Sequence, residues 1–494
     1  MVHEQIRRRR LARLLIAASL LATILTGAGL PGDAYAEQSA AVTVQKPDNR
    51  FLEVEAGKYY SLALRSDGSV WTWGRNLWSE LGIQEQMTVT SIAVPTRLSG
   101  LGGIVSIATN GSGYQLAAKA DGTVWEWGRS MESVLHGIKP RQVTGISGIT
   151  KVEAGGTTGL GIKKDGTVWT WPREGTAAFA AGKGPAQAAG IAGAVQVTSY
   201  GDIASAVTKD GAVWMWSASG EDAAFKPTKP IRVPGLPKMK QIAMLWDTVN
   251  GVDENGRAWS WTYSRTMNGN MVKAIQLDSK AKQAHSGMKM KEVKAGDGTV
   301  LFVTTSGQVW TDSRIQSGKL TKRTGLPAAQ AVAAGDYHGL ALDANGKIWG
   351  WGADKWNEIG TPPTSPDGMI YKPVPVSREI NMMVNGKELG SIFPAIQING
   401  SVFVPLKDAA LAAGASFQAK INTDFQQVMT LEYKGNTAEL MWDKTKLVVN
   451  GKESEMKSPI ESRSGVTLVP CSLLKMLGFS ISWDAGSRTV SISG

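Results

Sequence analysis

The stretch VEAGKYYSLALRSDGSVWTWG, residues 54–74, contains the pattern that decides the fold. Apolar and polar residues alternate from Ser61 to Arg65, an Asp67-Gly68 pair supplies a tight turn, and a second strand follows. Trp71 and Trp73 lie on one face of that strand, because side-chain direction in a strand has a period of two. The stretch predicts a β-hairpin that carries two tryptophans.

The same hairpin recurs along the chain. Its turn glycines are Gly68, Gly122, Gly166, Gly211, Gly256, Gly307 and Gly346. Three residues after each of them stands Trp71, Trp125, Trp169, Trp214, Trp259, Trp310 or Trp349, and six copies have a second tryptophan two residues later. The sixth copy has Asp312 there. Successive copies are spaced like the blades of a propeller, each blade being a four-stranded sheet, so the repeat predicts an all-β seven-bladed propeller.

Short segments that contain proline separate several hairpins, as at Lys139-Pro140-Arg141, Lys229-Pro230-Ile231 and Lys372-Pro373-Val374. Proline has no amide hydrogen to donate, so these segments are expected to form the outer edge strands. The last of them follows the seventh hairpin, and no eighth hairpin comes after it. We therefore expect the strand near Pro373 to Val376 to join the N-terminal blade and close the ring.

A different duplication begins after the last hairpin. Val384-Asn385-Gly386-Lys387 recurs as Val449-Asn450-Gly451-Lys452, and Val404-Pro405 recurs as Val469-Pro470. Each half predicts an Asn-Gly hairpin and a strand that ends in Val-Pro, with the proline in the first turn of a short helix. The predicted helices cover residues 406–413 and 472–477, and strands at 480–483 and 489–493 complete the second half. The two half-repeats predict one small C-terminal α+β domain.

Both patterns resemble known families. The first and seventh copies, EAGKYYSLALRSDGSVWTWGRNLWSELG and AAGDYHGLALDANGKIWGWGADKWNEIG, resemble the repeat of the regulator of chromosome condensation family. The C-terminal stretches VFVPLKDAALAAGASF and TLVPCSLLKMLGFSISWD are similar to the copper amine oxidase N-terminal-like, or stalk, domain. The stalk resemblance implies no copper. Secreted bacterial relatives of the propeller include an inhibitor of β-lactamases.

The N-terminal residues indicate export. Basic residues at Arg7 to Arg10, an apolar stretch from Leu14 to Leu25 and Ala34-Tyr35-Ala36 are typical of a signal peptide cleaved after Ala36. An uncleaved anchor is the alternative. We expect a signal peptide at residues 1–36, the propeller at 37–378 and the stalk-like domain at 379–494, in a protein that is secreted or held at a bacterial cell surface. Export argues against the chromatin role of the family's founder, so no nucleic-acid partner is expected.

The residue inventory favours no catalytic, cofactor or metal site. Copper or zinc would normally need several histidine or cysteine ligands, and after the signal peptide the chain has only His136, His285, His338 and Cys471. His338 and Cys471 are expected to be structural, the first because it occupies a repeat position. Four aspartates precede turn glycines, which favours a role in the turns: Asp67, Asp121, Asp165 and Asp210.

Aromatic residues are the remaining candidates for binding. Trp78 and Trp356 follow the tryptophan strands of copies one and seven at matching offsets, which favours packing between blades over binding. Tyr59, Tyr337 and Trp246 lie in loops near the hairpin entries and are weaker candidates of the same kind.

These observations predict a binding protein of the cell envelope with no catalytic activity. It would use one face of the propeller to recognise an unknown protein or cell-wall glycan. An inhibitor of an enzyme such as a β-lactamase is the first alternative, and a polysaccharide-active enzyme is the second. The second needs carboxylates outside the turns that cluster on one face, and the sequence pattern shows no such pair.

Overall fold

The computed structural model describes residues 49–83, 89–132, 137–219, 225–268, 271–313, 320–361, 367–391, 393–398, 400–423, 426–441, 445–456, 458–463 and 466–494. The signal peptide expected at residues 1–36 and the histidine at position 136 lie outside them. None of the helices in this described part of the chain is long and apolar enough to cross a membrane.

The described part of the propeller consists of strands in groups of four. The first three blades contain β1 (Phe51–Ala56), β2 (Tyr60–Arg65), β3 (Val70–Arg75), β4 (Ser91–Arg97); β5 (Ile104–Thr109), β6 (Tyr114–Lys119), β7 (Val124–Arg129), β8 (Gly137–Gln142); and β9 (Ile149–Ala154), β10 (Thr158–Lys163), β11 (Val168–Pro172), β12 (Ala186–Gln187), with the short helix α1 (Ala177–Ala180) before β12. The fourth and fifth contain β13 (Ala194–Tyr200), β14 (Ile203–Thr208), β15 (Val213–Ser217), β16 (Ile231–Arg232); and β17 (Met239–Leu245), β18 (Thr248–Asp253), β19 (Ala258–Asn268), β20 (Met271–Leu277), β21 (Lys282–Ala284). The last two contain β22 (Met290–Gly296), β23 (Thr299–Thr304), β24 (Val309–Ser313), β25 (Leu320–Lys322); and β26 (Ala329–Ala334), β27 (His338–Asp343), β28 (Ile348–Ala353), β29 (Met369–Pro375).

Each blade is an antiparallel sheet of four consecutive strands, and the fifth blade has β21 as an additional partner of β19. The innermost strand of every blade contacts the innermost strand of the next, and β26 contacts β1, so the ring is closed. The segments that contain proline form outer strands, as in β8 and β29, or lead into one, as Pro230 does before β16. The seven-bladed propeller predicted from the hairpin repeat is confirmed.

The turn glycines dock each blade on its neighbour. The carbonyl of Gly68 accepts a hydrogen bond from the amide of Ile104, the first residue of the next innermost strand, at 3.0 Å. Gly68 has φ 76°, and a Cβ there would lie 2.9 Å from the Cα of Gly103, so both the backbone conformation and the close approach require glycine. The other six turn glycines make the same bond, and the last of these, from Phe51 N to Gly346 O, joins the first blade to the seventh.

The prediction that the strand near Pro373 to Val376 joins the N-terminal blade is wrong. β29 pairs with β28 of its own blade, where Pro375 lies opposite Trp349, and not with the N-terminal blade. The chain enters the first blade at its innermost strand and each blade takes four consecutive strands, so no blade lacks a strand that a distant segment could supply. Side-chain packing closes the ring, since Val54 and Ala56 belong to the same apolar cluster as Leu340 and Ile348.

The second tryptophan of each hairpin fills the space between blades. Trp171, for example, is fully buried against Tyr114 and Leu116 of the preceding blade. In the sixth blade, where Asp312 replaces this tryptophan, the imidazole of His285 lies 3.2 Å from the Asp312 carboxylate and packs against the ring of Phe302. A polar pair thus occupies the place of one indole.

The C-terminal domain is built from both half-repeats. Its described elements are β30 (Asn381–Val384), β31 (Lys387–Glu388), β32 (Ile396–Ile398), β33 (Ser401–Pro405), α2 (Leu406–Ala412), β34 (Ser416–Ile421), β35 (Gln427–Tyr433), β36 (Asn436–Met441), β37 (Lys446–Val449), β38 (Lys452–Glu455), β39 (Glu461–Arg463), β40 (Val466–Pro470), α3 (Cys471–Met476), β41 (Ser480–Asp484) and β42 (Thr489–Ser493). β33 pairs with its counterpart β40, and β30 pairs with β42, so the halves share sheets. The prolines precede the helices as N-caps and are not in the first turn.

The C-terminal domain packs against the first blade. Val94 of β4 lies in an apolar cluster with Phe403 and Leu468. The Arg65 guanidinium bonds both carboxylate oxygens of Glu379, at 2.8 and 2.9 Å. Arg65 stands at the end of β2 beside the Asp-Gly turn, so this contact lies at the end of the blade opposite to the loop that joins β1 and β2.

Candidate functional site

The seven innermost strands surround a cavity of about 970 Å³. Its lining includes residues from both ends of these strands, such as Val105 and Lys240 at one end and Ser112 and Asp336 at the other. The cavity is therefore a channel along the propeller axis. Its volume lies within the range of sites that bind small molecules.

A belt of hydrogen bonds links the innermost strands around this channel. One position of each innermost strand supplies it: Glu53, Ser106, Lys151, Gln196, Gln241, Glu292 and Ala331. Gln196, for instance, accepts from the amide of Ile242 at 2.9 Å and donates to its carbonyl at 2.7 Å, so it mimics a strand partner. Glu53 accepts from the amide of Ile107 at 3.2 Å. Carboxylate, hydroxyl, ammonium and amide groups at this position all form a hydrogen bond to the backbone of the next blade. Only Ala331 of the seventh blade cannot.

Carboxylates outside the turns gather in this channel, contrary to the expectation that there would be no such pair. Glu53, Glu55 and Glu153 all line it, because alternate residues of an innermost strand point to the same side. Burial and the nearby Glu55 carboxylate raise the pKa of Glu153 to about 8 and that of Glu53 to about 7. Each of the three is already bonded: Glu153 accepts from the amide of Ser199, Glu53 from Ile107, and Glu55 from Lys294.

One end of the channel is framed by the loops between the first and second strands of each blade. These mouth loops are residues 57–59, 110–113, 155–157, 201–202, 246–247, 297–298 and 335–337. The mouth-loop residue that stands ten positions before the turn glycine differs in almost every copy: Lys58, Ser112, Gly156, Gly201, Trp246, Asp297 and Asp336. The sequence pattern did not identify the two aspartates, although this variation within a fixed register is the signal that would have found them.

Aromatic rings and guanidinium groups form a stack across the mouth from the seventh blade to the second. The rings of Tyr337 and Tyr59 are stacked with centroids 5.8 Å apart. Arg75 lies 4.3 Å from the ring centroid of Tyr59 and 4.4 Å from that of Trp78, and Arg129 also lies 4.4 Å from the ring centroid of Trp78. Trp78 therefore packs between blades, as expected, while Tyr337 at the end of the stack is 52% exposed.

A second aromatic pair faces the stack from the fourth and fifth blades. The phenol of Tyr200 and the indole of Trp246 both donate to the Asp297 carboxylate. Asp336 lies beside Asp297, and Lys58 approaches it to 4.0 Å. Burial and the charge of Asp297 raise the pKa of Asp336 to about 6. The mouth thus places two carboxylates and one ammonium between exposed aromatic rings.

The other candidates lie away from the mouth opening. His338 is buried, its Nε2 lies 2.9 Å from Ser61 Oγ, and burial lowers its pKa to about 3. Cys471 is buried in the C-terminal core, which raises its pKa to about 12. The turn aspartates bond within their own turns, as Asp121 does with the amide and hydroxyl of Thr123, and these bonds lower its pKa. No group of three or more potential metal ligands occurs among the described residues.

Comparisons with protein families agree with this architecture. The Regulator of chromosome condensation (RCC1) repeat matches residues 52–77, 67–115 and 329–355, and the Copper amine oxidase N-terminal domain matches residues 383–492. This chain is a fusion of RCC1 repeats to a copper amine oxidase N-terminal domain. The RCC1 repeats supply the propeller scaffold.

The chain is similar to human proteins over short stretches. The chain is 34% identical over 96 residues to human probable E3 ubiquitin-protein ligase HERC3, which is 19% of this chain and 9% of that protein. It is 34% identical over 82 residues to human HERC6, or 16% of this chain and 8% of that protein. These ligases share only a small RCC1 region with the chain, so the similarity does not extend to a whole enzyme.

Among solved structures, human WBSCR16 has a TM-score of 0.50 at 16% identity, over 63% of this chain and 94% of that one. Prp20p from Saccharomyces cerevisiae, studied for its binding to Gsp1p and histones, has a TM-score of 0.49 at 16% identity, over 67% of this chain and 88% of that one. The likeness to WBSCR16 shows the fold alone.

Proposed function

We propose that this protein is an exported, non-catalytic binding protein of the bacterial cell envelope, and that it holds its partner at the mouth of the propeller. The exposed Tyr337 and Trp246 on either side of the Asp297 and Asp336 carboxylates carry this proposal. Large aromatic residues are favoured anchors of binding sites, and polar groups between them fix the orientation of a ligand.

The position of the C-terminal domain also supports binding at the mouth of the propeller. The ion pair between Arg65 and Glu379 lies at the Asp-Gly end of the first blade, away from the mouth loops. A stalk-like domain in this place leaves the mouth free while it spaces or docks the propeller. The basic and apolar pattern of residues 1–36 supports export.

The channel carboxylates favour a scaffold more than a glycosidase. Glu53 and Glu153 accept hydrogen bonds from backbone amides of the next blade, Glu53 as part of the belt and Glu153 two residues beyond the belt position of its strand, so each has a structural role. A general acid and a nucleophile would have to turn toward a substrate and leave these amides unpaired.

Affinity capture tests this proposal. The purified protein and the variants Tyr337→Ala, Trp246→Gly and Tyr371→Ala are immobilised and exposed to an envelope extract of the source cells. Tyr371 is the matched control, because it is 70% exposed on β29, the outermost strand of the seventh blade, while the mouth is framed by loops that follow the innermost strands. The first two variants should lose a partner that the wild type and Tyr371→Ala retain.

The same experiment separates the alternatives. Retention of the partner by both mouth variants would refute the proposed face. Cleavage of a captured polysaccharide would show an enzyme, and abolished turnover of a titrated β-lactamase would show an inhibitor. N-terminal sequencing of the exported protein should give a chain that begins near Glu37.

A further inference from the structure

We propose that the mouth binds a neutral oligosaccharide, with sugar rings stacked on Trp246 and Tyr337 and their hydroxyls bonded to Asp297, Asp336 and Lys58. This inference rests on the proposed function, because it names the ligand class of the same site. Together these five residues form an arc over the fifth, sixth, seventh and first blades, called here the mouth arc.

Trp246 occupies a turn position at which the fourth blade has glycine. It is the first residue of the two-residue turn between Leu245 and Thr248, with φ 54°. Glycine or asparagine is favoured at such a position, because other residues are strained in the left-handed region. The equivalent turn of the fourth blade has Gly201, with φ 58°. A strained and 44% exposed indole at this place points to a ligand.

The turn is held so that the indole cannot easily move. The hydroxyl of Tyr263 donates to the carbonyl of Trp246 at 2.6 Å, and the indole nitrogen donates to Asp297. At the other end of the mouth arc, Tyr337 is backed by Tyr59 and, through it, by Arg75. Both exposed rings are therefore fixed by their neighbours, which lowers the entropy cost of binding a ligand against them.

The polar groups of the mouth arc offer both hydrogen-bond acceptors and a donor to the hydroxyls of a neutral ligand. A cation would be attracted by Asp297 and Asp336 but repelled by Lys58, whose ammonium already lies 5.6 and 5.9 Å from the ring centroids of Tyr59 and Tyr337. An anion would meet the two carboxylates. A polyol uses carboxylates as acceptors and an ammonium as donor in one ring, and it presents C–H faces to aromatic side chains.

The channel provides room for more than one sugar unit. Tyr200, Asp297 and Asp336 of the mouth belong to the lining of the 970 Å³ cavity, which continues between the innermost strands. Below the mouth the lining has further donors and acceptors, among them Thr198 and Lys294. A chain of sugars can thus enter from the mouth along the axis and bond at successive levels.

Isothermal titration of the purified protein with cellotetraose, chitotetraose and maltotetraose tests the inference. At least one of these neutral tetrasaccharides should bind saturably, and tetralysine and tetragalacturonate should bind at least tenfold more weakly. Trp246→Gly and Tyr337→Ala should each raise the dissociation constant at least tenfold, and Tyr371→Ala should leave it unchanged. The Trp246→Gly protein should stay folded, because glycine suits the positive φ of the turn, and its melting temperature, measured beside that of the wild type, separates a loss of binding from unfolding.

Three results would overturn the inference: no saturable binding of any of the three neutral sugars at millimolar concentration, equal affinity in the mouth variants, or tighter binding of a charged probe. Different results would refute the proposed function. If the three sugars do not bind but capture of an envelope partner still depends on Trp246 and Tyr337, the mouth is a binding face for another ligand class. If a sugar binds equally to all variants, the claim that ligands bind at the mouth is refuted.

Discussion

Lys294 Nζ lies 2.8 Å from Glu55 Oε1, and this ion pair joins the sixth blade to the first across the seventh. The innermost strand of the seventh blade has Ala331 and Ala333 at the two positions that face the channel elsewhere in the ring. The belt therefore has no polar side chain at the joint where the two ends of the propeller meet. The long lysine side chain spans the gap that these alanines leave.

Removal of Lys294 should weaken ring closure. In Lys294→Met the carboxylate of Glu55 stays partly buried near Glu53 and Glu153 without its cation, so we expect a loss of about 1–3 kcal/mol in the free energy of unfolding. Chemical denaturation followed by tryptophan fluorescence measures it. The double variant Glu55→Gln, Lys294→Met removes the uncompensated charge and should recover most of the loss. Equal stability of the single and double variants would contradict this assignment.

The stability of the propeller should fall as the pH rises from about 5 to about 8. Glu53 and Glu153 have folded-state pKa values of about 7 and about 8, above the ordinary glutamate pKa of 4.5 that applies to the unfolded chain. The folded state therefore holds protons that the unfolded state has released in this interval, and stability decreases with pH wherever the folded state binds more protons. The two carboxyls are neutral at the acidic end and are forced to ionise beside Glu55 at the alkaline end.

Glu153→Gln tests this linkage. The amide is uncharged at every pH and its oxygen can still accept from the amide of Ser199, so the melting temperature of the variant should depend less on pH than that of the wild type. Glu461→Gln, in the C-terminal domain, is the control and should keep the wild-type slope. A wild-type melting temperature that rises over this interval would show that these two carboxyls do not hold their protons in the folded state.

The sequence predicts the blades well because several positions of each blade accept only one type of residue. A turn at the position of Gly68 needs both a positive φ and a missing Cβ, and the space filled by Trp171 suits only a large ring, so these residue types recur. Ring closure was mispredicted because the repeat spacing is the same whichever strand of a blade comes first in the chain. The carboxylate of Glu53 was missed because the belt position holds glutamate, serine, lysine and glutamine, which accept a hydrogen bond in some blades and donate one in others, so the position has no residue-type signal.

Two buried tryptophans of the same repeat position should differ in their response to phenylalanine. Trp73 Nε1 donates to the carbonyl of Glu358 at 2.8 Å, while Trp216 Nε1 has no hydrogen-bond partner in the described structure. Both indoles are fully buried, so the two substitutions remove similar volumes. Trp73→Phe should therefore destabilise the protein by about 1 kcal/mol more than Trp216→Phe, as measured by chemical denaturation. Equal losses would show that the bond contributes nothing net.

The contact between the first blade and the C-terminal domain depends on Arg65. Its guanidinium is held 4.2 Å from the ring centroid of Trp71 and is only slightly exposed, so the two hydrogen bonds that its Nη2 donates to the Glu379 carboxylate fix the connecting residues 376–380 against the propeller. In Arg65→Met this connection should open more often, and trypsin should cut after Arg378 several-fold faster than in the wild type, releasing two folded fragments. Arg97→Met removes an exposed arginine of the same blade and should leave the rate unchanged. If Arg65→Met is cut no faster, the apolar contact of Val94 with Phe403 is sufficient to hold the two domains together, and Val94→Asp should then be the variant that separates them.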